Sequence, residues 1–491
     1  MMSKSALCTV VLLGAALTAM AQTRDQNWDR CKADDPDTSI SGCTALIDSG
    51  QESGENLANA YFNRGIAYRD KKEIDLSLKD FDEAIRLKPD FPGAFNSRAN
   101  SYSDKGDYDR AIQDYNEAVR LDSTYALAYY NRGNAYGHQD NYKRAIEDYD
   151  QYVKLAPDDA DGFNNRGHAY MELSEYDRAL EDFNAALRLN PNHALAIFNS
   201  GVAFNDKGEY AQGAEKFTRY IELKPDDADG YGGRGDSYRR QGQYDLAIAD
   251  YNHAIQLDPH DANAFFNRGL VYSREGQYDQ ALENFAMFVE LRPKDADGPN
   301  NHGMVYLQRG QYQKAIEDFV KSNEIEPKNQ VSFFDRGVAH LLAAQRSEAI
   351  ADFQLGIGAN PGSTMAVYSA IWLHIARTQA GQDDAEDLAP VVAKANLSQW
   401  PGPALKLDLG EATTDEVLAA AQDHNSEVQK NQLCEANYYL GEYALFHQQR
   451  TLAKTRFIAA RDACPKDYVE YAGALVELKR LSAAPPPVEK K

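Results

Sequence analysis

The chain has 491 residues, of which 43% are hydrophobic and 11% aromatic, and its formal net charge at pH 7 is −23. A chain of this composition can bury a large core. Its acidity disfavours contact with phosphate backbones and anionic lipids, so we expect no nucleic-acid partner. No stretch after the N-terminal residues is long and apolar enough to predict membrane insertion.

The first residues have the three parts of an export signal. A positive charge at Lys4 precedes an apolar run over residues 6–17, and residues 19–21 form an Ala-x-Ala cleavage pattern. We therefore predict a signal peptide over residues 1–21 and an exported, soluble product. Cys8 lies inside the apolar run and not directly after it, which disfavours a lipid anchor.

Residues 22–57 are predicted to form a degenerate, disulfide-stapled N-terminal repeat. When the 34-residue period described next is extended backwards, Cys31 and Cys43 fall where the two helices of a repeat approach closely. Without Cys8 the chain keeps an even number of cysteines, which suits an oxidising compartment. Buried free thiols are the alternative, and zinc is less favoured because CxxC spacing is missing.

Between residues 58 and 363 the chain repeats every 34 residues, in nine segments without an insertion. Numbered from Ala58, position 4 is usually aromatic, position 8 small, position 20 mostly Ala, position 24 Phe or Tyr, and position 32 mostly Pro. This spacing places the apolar residues on one face of each of two helices, and the proline ends the second. Such hairpins bury their apolar faces only by stacking into a solenoid.

The pattern resembles the tetratricopeptide repeat (TPR) family. The resemblance implies an all-α TPR α-solenoid, a right-handed superhelix of antiparallel helix pairs. It also implies that the first helix of each pair lines a concave groove, through positions 2, 5, 9 and 12 with position 6 beside them. Proteins or peptides are the partners expected there.

Position 6 carries asparagine in six of the nine repeats: Asn63, Asn131, Asn165, Asn199, Asn267 and Asn301. A side-chain amide both donates and accepts, so a ladder of asparagines can pair with the backbone of an extended peptide. The alternative is that these residues cap or bridge neighbouring helices. The sequence leaves both interpretations open.

Position 5 alternates between aromatic and small or polar residues, so part of the pattern has a period of 68 residues. Position 27 is bulky in every second repeat, and a glycine follows it ten residues later, which indicates volume compensation in a packed core. The position-5 aromatics are expected either to form pockets or to pack between first helices.

Repeats seven to nine add further apolar residues to the first helices. We predict that this stretch binds an apolar client segment, or that the 364–433 region folds back onto it. The apolar groove residues predicted are Phe198, Phe266, Leu270, Met304, Phe334 and Val338.

Arginine at position 7 recurs together with aspartate at position 23, and repeat five lacks both. We predict structural ion pairs within each repeat and not a basic groove. The pairs are Arg64 with Asp80, Arg98 with Asp114, Arg132 with Asp148, and Arg166 with Asp182.

The period fails between residues 364 and 433, where an irregular helical region is predicted. Helices are expected around residues 365–378 and 384–395, and a third at Thr413, which forms a capping-box pattern with Glu416. Residues 434–482 are predicted to form a final repeat and a capping helix. A disulfide between Cys434 and Cys464 is expected to close that repeat, and residues 483–491 are predicted to be a disordered tail.

The C-terminal region is also similar to NlpI-type bacterial envelope TPR proteins, through residues 368–376, 400–402, 437–443 and 469–478. This similarity implies the periplasm of a Gram-negative bacterium and an adaptor for proteases or cell-wall hydrolases. The lipidated cysteine of that type is missing and the repeat array is longer. We therefore carry over the compartment and the adaptor class, but no specific partner.

No nucleophile elbow, HExxH motif or phosphate loop occurs in the sequence, and we predict neither catalysis nor a cofactor. Three Asp-Gly loops lack the bidentate glutamate of a calcium loop, so we predict no metal. The predicted function is a protein-binding scaffold or adaptor. The alternative is a structural envelope assembly protein that binds folded subunits or self-associates.

Overall fold

The structure, a computed structural model, describes residues 23–482. The predicted signal peptide and the predicted disordered tail lie outside these residues. Every regular element in the described range is a helix. None of the helices in that range is long and apolar enough to cross a membrane.

The chain divides into two compact units, the first ending at Pro225 and the second beginning at Asp226. The first unit contains α1 (23–31), α2 (Pro36–Asp48), α3 (Gly54–Asp70), α4 (Ile74–Leu87), α5 (Pro92–Asp104), α6 (Tyr108–Leu121), α7 (Ala126–Gly137), α8 (Tyr142–Leu155), α9 (Ala160–Glu172), α10 (Tyr176–Leu189), α11 (Ala194–Asp206) and α12 (Tyr210–Leu223). From α3 onward, the helices of this unit are the first and second helices of repeats one to five.

The second unit contains α13 (Ala228–Arg240), α14 (Tyr244–Leu257), α15 (Ala262–Glu275), α16 (Tyr278–Leu291), α17 (Asp297–Gln308), α18 (Tyr312–Ile325), α19 (Gln330–Leu342), α20 (Arg346–Ala359), α21 (Thr364–Ala380), α22 (Ala385–Lys394), α23 (Gly402–Asp408), α24 (Thr414–Ala420), α25 (Ser426–Phe446), α26 (Arg450–Ala463) and α27 (Val469–Ser482). Helices α13 to α20 are repeats six to nine, and α25 with α26 is the final repeat.

Each repeat is held together by a close contact between its two helices. The aromatic residue at position 24 is buried in all nine repeats. In repeat three, a Cβ atom added to Gly133 would lie 2.7 Å from the ring of Tyr149, and in repeat four one added to Gly167 would lie 2.8 Å from Phe183. In these two repeats a Cβ atom would have to displace the ring, which explains the small residue at position 8, where repeat two has Ala99.

The turn between the two helices has one conformation throughout. Position 15 has a positive φ in all nine repeats, at Gly106, Gly208, Gly242, Gly276 and Gly310 but also at Lys72, Asp140, Ser174 and Ala344. Gln448 has the same left-handed conformation at position 15 of the final repeat, counted from Cys434. The backbone therefore keeps the register of that repeat although its sequence pattern is weak.

Both predicted disulfides are present. The sulfur atoms of Cys31 and Cys43 lie 2.01 Å apart, and those of Cys434 and Cys464 lie 1.99 Å apart. The first closes the helix pair α1 and α2, and the second joins the start of the final repeat to its end. Each disulfide bond therefore lies in one of the two irregular end repeats.

The predicted helices of the irregular region are found as α21 and α22, and Thr413 forms the predicted capping box with Glu416 at the start of α24. Helix α23 was not predicted. The closing helix α27 packs against α17 and α19, the first helices of repeats eight and nine. Helix α21, at the start of the predicted 364–433 region, also packs against α19, so both this region and the closing helix contact the first helix of repeat nine.

Polar contacts join the start of α25 and the loop before α27 to repeat seven. The guanidinium of Arg274, near the end of α15, lies 3.4 Å from Glu427 and 3.7 Å from Asp467. The Lys466 Nζ atom donates to the backbone carbonyl of Glu275 at 3.2 Å. The C-terminal segments of the second unit therefore contact repeats seven to nine of the same unit.

Candidate functional site

The first helices of successive repeats contact one another within each unit, so their side chains form a continuous surface. The position-6 asparagines lie on it and use their amides to bridge neighbouring helices. Asn131 Nδ2 donates to Asn96 Oδ1 at 3.1 Å, and Asn199 Nδ2 donates to Asn164 Oδ1 at 3.2 Å. In both pairs, position 6 of one repeat contacts position 5 of the repeat before it.

The remaining asparagines at position 6 have different contacts. Asn165 Nδ2 donates to the Tyr130 hydroxyl at 2.9 Å, which is again a contact with position 5 of the preceding repeat. Asn63 Nδ2 lies 3.9 Å from Cys31 Sγ, whereas Asn301 Nδ2 donates to the Asp297 carbonyl of its own helix at 2.9 Å. Asn267 lies half-buried on α15. The bridging interpretation thus has direct geometric support, and peptide binding by the ladder stays a prediction.

Repeat nine has Asp335 where most repeats have asparagine, and this carboxyl group is buried. Asn300 Nδ2 donates to Asp335 Oδ2 at 2.9 Å, while the buried Asn300 Oδ1 has no hydrogen-bond partner in the described part of the chain. Burial raises the pKa of Asp335 to about 7, although the bond from Asn300 opposes the rise. A protonated Asp335 can donate to Asn300 Oδ1 as an asparagine would.

The position-5 aromatics pack onto the second helix of their own repeat. The Phe198 ring lies 5.4 Å from Phe217 and 5.1 Å from Tyr220, measured between centroids. Phe266 lies 4.8 Å from Phe288 in the same way. All of the interior position-5 aromatics except Phe334 remain half-buried, so part of each ring still faces the first-helix surface.

The predicted volume compensation is confirmed at position 27. A Cβ atom added to Gly162 would lie 2.5 Å from the Tyr152 ring, and one added to Gly298 would lie 3.0 Å from Phe288. The glycine at position 3 thus makes room for the bulky residue of the preceding repeat. A bulky residue at position 27 fits only when the next repeat has glycine at position 3. The two residues therefore alternate together, every 68 residues.

Two residues predicted for the apolar groove are covered. Phe334 is 6% exposed and Val338 is fully buried, both within the cluster that includes the C-terminal helices. The Phe334 ring lies 6.0 Å from Trp372 of α21. Met304 is partly buried against the same cluster, and Leu270 packs beside Phe266. Phe334 and Val338 therefore offer no surface to a client, which corrects the prediction for these two.

The predicted ion pairs form within the repeats. Arg64 with Asp80, Arg98 with Asp114, Arg132 with Asp148 and Arg166 with Asp182 have nitrogen–oxygen distances of 2.6 to 2.7 Å. These carboxylates are buried, so the arginines at position 7 have a structural role.

Some of these arginines also reach back to the preceding repeat. Arg98 contacts Asp82 at 2.7 Å, and Arg166 contacts Asp150 at 2.6 Å. Arg132 donates to Asn116 at 2.6 Å in the same way. We did not predict these contacts. The signal that indicates them is the Asp or Asn at position 25.

The first unit exposes two large apolar side chains at position 2 of its first helices. Leu127 on α7 is 52% exposed and Leu195 on α11 is 59% exposed. Helical geometry places Leu127 on the same face as Tyr130 and Asn131, three and four residues later. Leu195 stands in the same relation to Phe198. These leucines did not enter the predicted site, although their position in the repeat could have indicated them.

In residues 23–482 no group of three or more His, Cys, Asp or Glu side chains is placed to hold a metal ion. The surface formed by the first helices consists of asparagine amides, aromatic rings and leucine side chains, and these groups suit the recognition of another polypeptide.

Comparison with protein families identifies the repeats. Two family models described as "Tetratricopeptide repeat" match residues 58–91, 126–159, 160–193, 262–295 and 300–329, and a third model, "TPR repeat", matches residues 99–140 and 235–276. The chain is a tetratricopeptide repeat protein. Four of the matches begin and end at the boundaries predicted from the period. TPR proteins generally mediate protein–protein interaction, and this TPR protein carries the same kind of repeat.

Several solved structures are similar to parts of the TPR protein. YrrB, described as a TPR protein with an unusual peptide-binding site, is 27% identical over 38% of this chain and 95% of its own, with a TM-score of 0.34. A tetratricopeptide repeat protein from Parabacteroides merdae is 20% identical over 50% and 98%, with a TM-score of 0.43. The pilF protein of Pseudomonas aeruginosa is 19% identical over 42% and 94%, with a TM-score of 0.38. No curated protein matches the chain.

Proposed function

We propose that this TPR protein is a non-catalytic scaffold or adaptor that binds extended client segments along the first helices of its N-terminal unit. The observation that carries the proposal is the pair of exposed leucines, Leu127 and Leu195, each beside a half-buried aromatic residue and the asparagine ladder. Because these leucines are already about half buried, burying the rest of each side chain in a complex contributes roughly 1–1.5 kcal/mol.

The polar groups of the same surface suit an extended backbone. The Nδ2 atoms of Asn131 and Asn199 are engaged with the preceding repeat, and these bonds fix the orientation of both side chains. Their oxygens then accept hydrogen bonds from backbone N–H groups of a client. The leucines give affinity and the amides give orientation, a division of roles common in peptide recognition.

We place the proposed function in the bacterial envelope, as a periplasmic adaptor for proteases or cell-wall hydrolases. The two disulfides support an oxidising compartment. The predicted signal peptide and the similarity to NlpI-type proteins point the same way. Fractionation of a Gram-negative host that expresses the full-length gene tests the compartment, and recovery of the protein with reduced cysteines in the cytosol would overturn it.

A random 12-residue peptide library displayed on phage tests the binding role. We expect the purified protein to enrich peptides with apolar residues, and a Leu127→Ser/Leu195→Ser variant to weaken binding of the enriched peptides about tenfold or more. Fluorescence anisotropy with synthetic peptides measures the difference.

The matched control is Leu155→Ser/Leu189→Ser, which alters two leucines that are each 40% exposed at the ends of second helices. This variant should bind as the unmodified protein does. Equal losses in both variants, or no enrichment at all, would reject the proposed surface.

A further inference from the structure

A cavity of about 450 Å³ lies in the second unit and shares no residue with the surface of the proposed function. Its walls come from α21, α25 and α27 and from the end of α23. This volume falls in the range of small-molecule binding sites. Phe446 lines the cavity and is 60% exposed, so the cavity is open to solvent on that side.

An acidic side chain in the cavity wall, which lies near Tyr438 and Gln379, has one oxygen atom without a hydrogen bond in the described structure. Glu442 is 9% exposed, and its Oε1 atom is buried without a hydrogen-bond partner among residues 23–482. A buried carboxylate oxygen in this state costs free energy, unless a ligand supplies a donor or a positive charge. Asp408, on another wall, is a second buried carboxyl group, with 12% of its side chain exposed.

The cations around the cavity are already engaged. Arg480 pairs with Glu477 at 2.5 Å, and His374 Nδ1 lies 2.6 Å from Asp384 Oδ2. The nearest contact of Asp408 with a basic group is 4.0 Å, to the Nε2 atom of His374. Neither of the two carboxyl groups in the lining, on Glu442 and Asp408, has an ion pair closer than 4.0 Å in the described structure, which favours a cationic ligand.

Much of the remaining lining is apolar, although it also includes polar groups such as Thr378, Gln379 and His447. Ile371 and Ile375 from α21 and Leu445 and Phe446 from α25 face the same space. A ligand that satisfies the whole cavity combines a positive head with a hydrocarbon stem, because a small inorganic cation would leave these side chains facing water.

We propose that this cavity binds an organic cation, namely an ammonium or guanidinium group on an apolar stem, with Glu442 and Asp408 holding the charge and Ile375 and Phe446 packing on the stem. A free amine and the side chain of a lysine or arginine in a peptide share this chemistry. The site is separate from the surface of the proposed function, so either can fail without the other.

Titration calorimetry with n-pentylamine tests the head group, with n-pentanol and pentanoate as probes of the same stem. We expect the amine to bind and the alcohol and the acid to bind at least tenfold more weakly. A Glu442→Gln variant should weaken amine binding about tenfold or more, the effect of losing one charged hydrogen bond. Equal binding of all three probes, or no binding of the amine, would overturn the proposal.

A matched control removes a buried carboxylate outside the cavity. Glu435 is 8% exposed and accepts hydrogen bonds from Tyr368 and Trp400. Glu435→Gln should leave amine binding unchanged. If this variant loses binding as strongly as Glu442→Gln does, the effect is not local to the cavity and the assignment is wrong.

A second measurement needs no variant. Burial, with Glu477 nearby and against the effect of Arg480, raises the pKa of Glu442 to about 8. The other ionisable groups near it are Tyr438, Tyr439 and Tyr443 on its own helix and His447 directly after that helix. His374 on α21 and Asp408 at the end of α23 line the same cavity. A bound cation displaces the proton of Glu442, so calorimetry near pH 7 in two buffers of different ionisation enthalpy should show net proton release. Uptake, or no exchange, would contradict the site.

The source of the cation is resolved with blocked tripeptides. Ac-Ala-Lys-Ala-NH₂ is compared with the same peptide containing norleucine in place of lysine. Tighter binding of the lysine peptide than of n-pentylamine identifies a basic side chain of a polypeptide as the ligand. The reverse order identifies a free amine. A norleucine peptide that binds as tightly as the lysine peptide would overturn recognition of the charge.

Discussion

The substitution Asp335→Asn should stabilise the second unit, and the gain should depend on pH. Asparagine restores the usual residue of position 6 and removes a buried carboxylate. Its Nδ2 atom can also donate to Asn300 Oδ1, which has no partner in the described structure. The arrangement would then match that of Asn131 with Asn96, where the bond is 3.1 Å long.

The size of the effect follows from the pKa of Asp335, which burial raises from 3.8 to about 7. A raised folded-state pKa contributes stability that is fully present below the unfolded pKa and is lost as pH rises through the folded pKa. The loss occurs between about pH 4 and pH 7. At about 1.4 kcal/mol per pH unit, it approaches 4 kcal/mol by pH 7, as an order of magnitude.

Asparagine has no such loss, so the stability difference between variant and unmodified protein should be near zero at pH 4 and about 2–4 kcal/mol at pH 8. Urea unfolding at pH 4, 6 and 8, followed by tryptophan fluorescence, measures it, since Trp372 lies against Phe334 in this region. Other carboxyl groups titrate in both proteins and cancel in the comparison. A gain that is constant across this range, or a loss at pH 8, would show that Asp335 is not the titrating group.

Three further outcomes are expected. Ala344 has φ of 63° in the hairpin turn of repeat nine, so Ala344→Gly should raise stability by about 0.5–1 kcal/mol in urea unfolding; an unchanged midpoint would contradict strain there. Asp148→Asn and Asp182→Asn should each lower the stability by about 1–3 kcal/mol in thermal melts, and Asp148→Asn should lower it more. After the substitutions Arg166 still contacts the carboxylate of Asp150, whereas Arg132 keeps only the amide of Asn116. Equal losses of stability would refute that ranking. Reduction of the disulfides, whose cysteines are 12 and 30 residues apart, should destabilise each end repeat by about 3 kcal/mol, seen as earlier unfolding in a thiol reductant and not in a matched oxidised sample.

The repeat boundaries and the internal contacts of each hairpin could be predicted from the sequence because they recur. A pattern seen nine times averages out local exceptions, so the close pairing of Gly133 with Tyr149 and the Arg–Asp pairs were readable without coordinates. Capping at Thr413 was readable for another reason, since a capping box uses only groups within four residues.

Contacts between repeats were harder to predict. Whether Asn131 contacts Asn96 or faces solvent depends on the rotation of α7 relative to α5, and no residue spacing encodes that rotation directly. The inclusion of Val338 and the closing helix in one buried cluster depends on a return of the chain over more than a hundred residues. Helix α23, with 7 residues, is too short to show a helical period.

The spacing of the two exposed leucines has a consequence for ligand length. Neighbouring first helices lie about 8–10 Å apart when packed, so Leu127 and Leu195, two repeats apart in the first unit, are separated by roughly 16–20 Å. An extended polypeptide advances about 3.3 Å per residue, and that gap corresponds to about five to six residues. A motif whose two bulky side chains are five to seven residues apart would engage both leucines, whereas a more compact motif would engage only one.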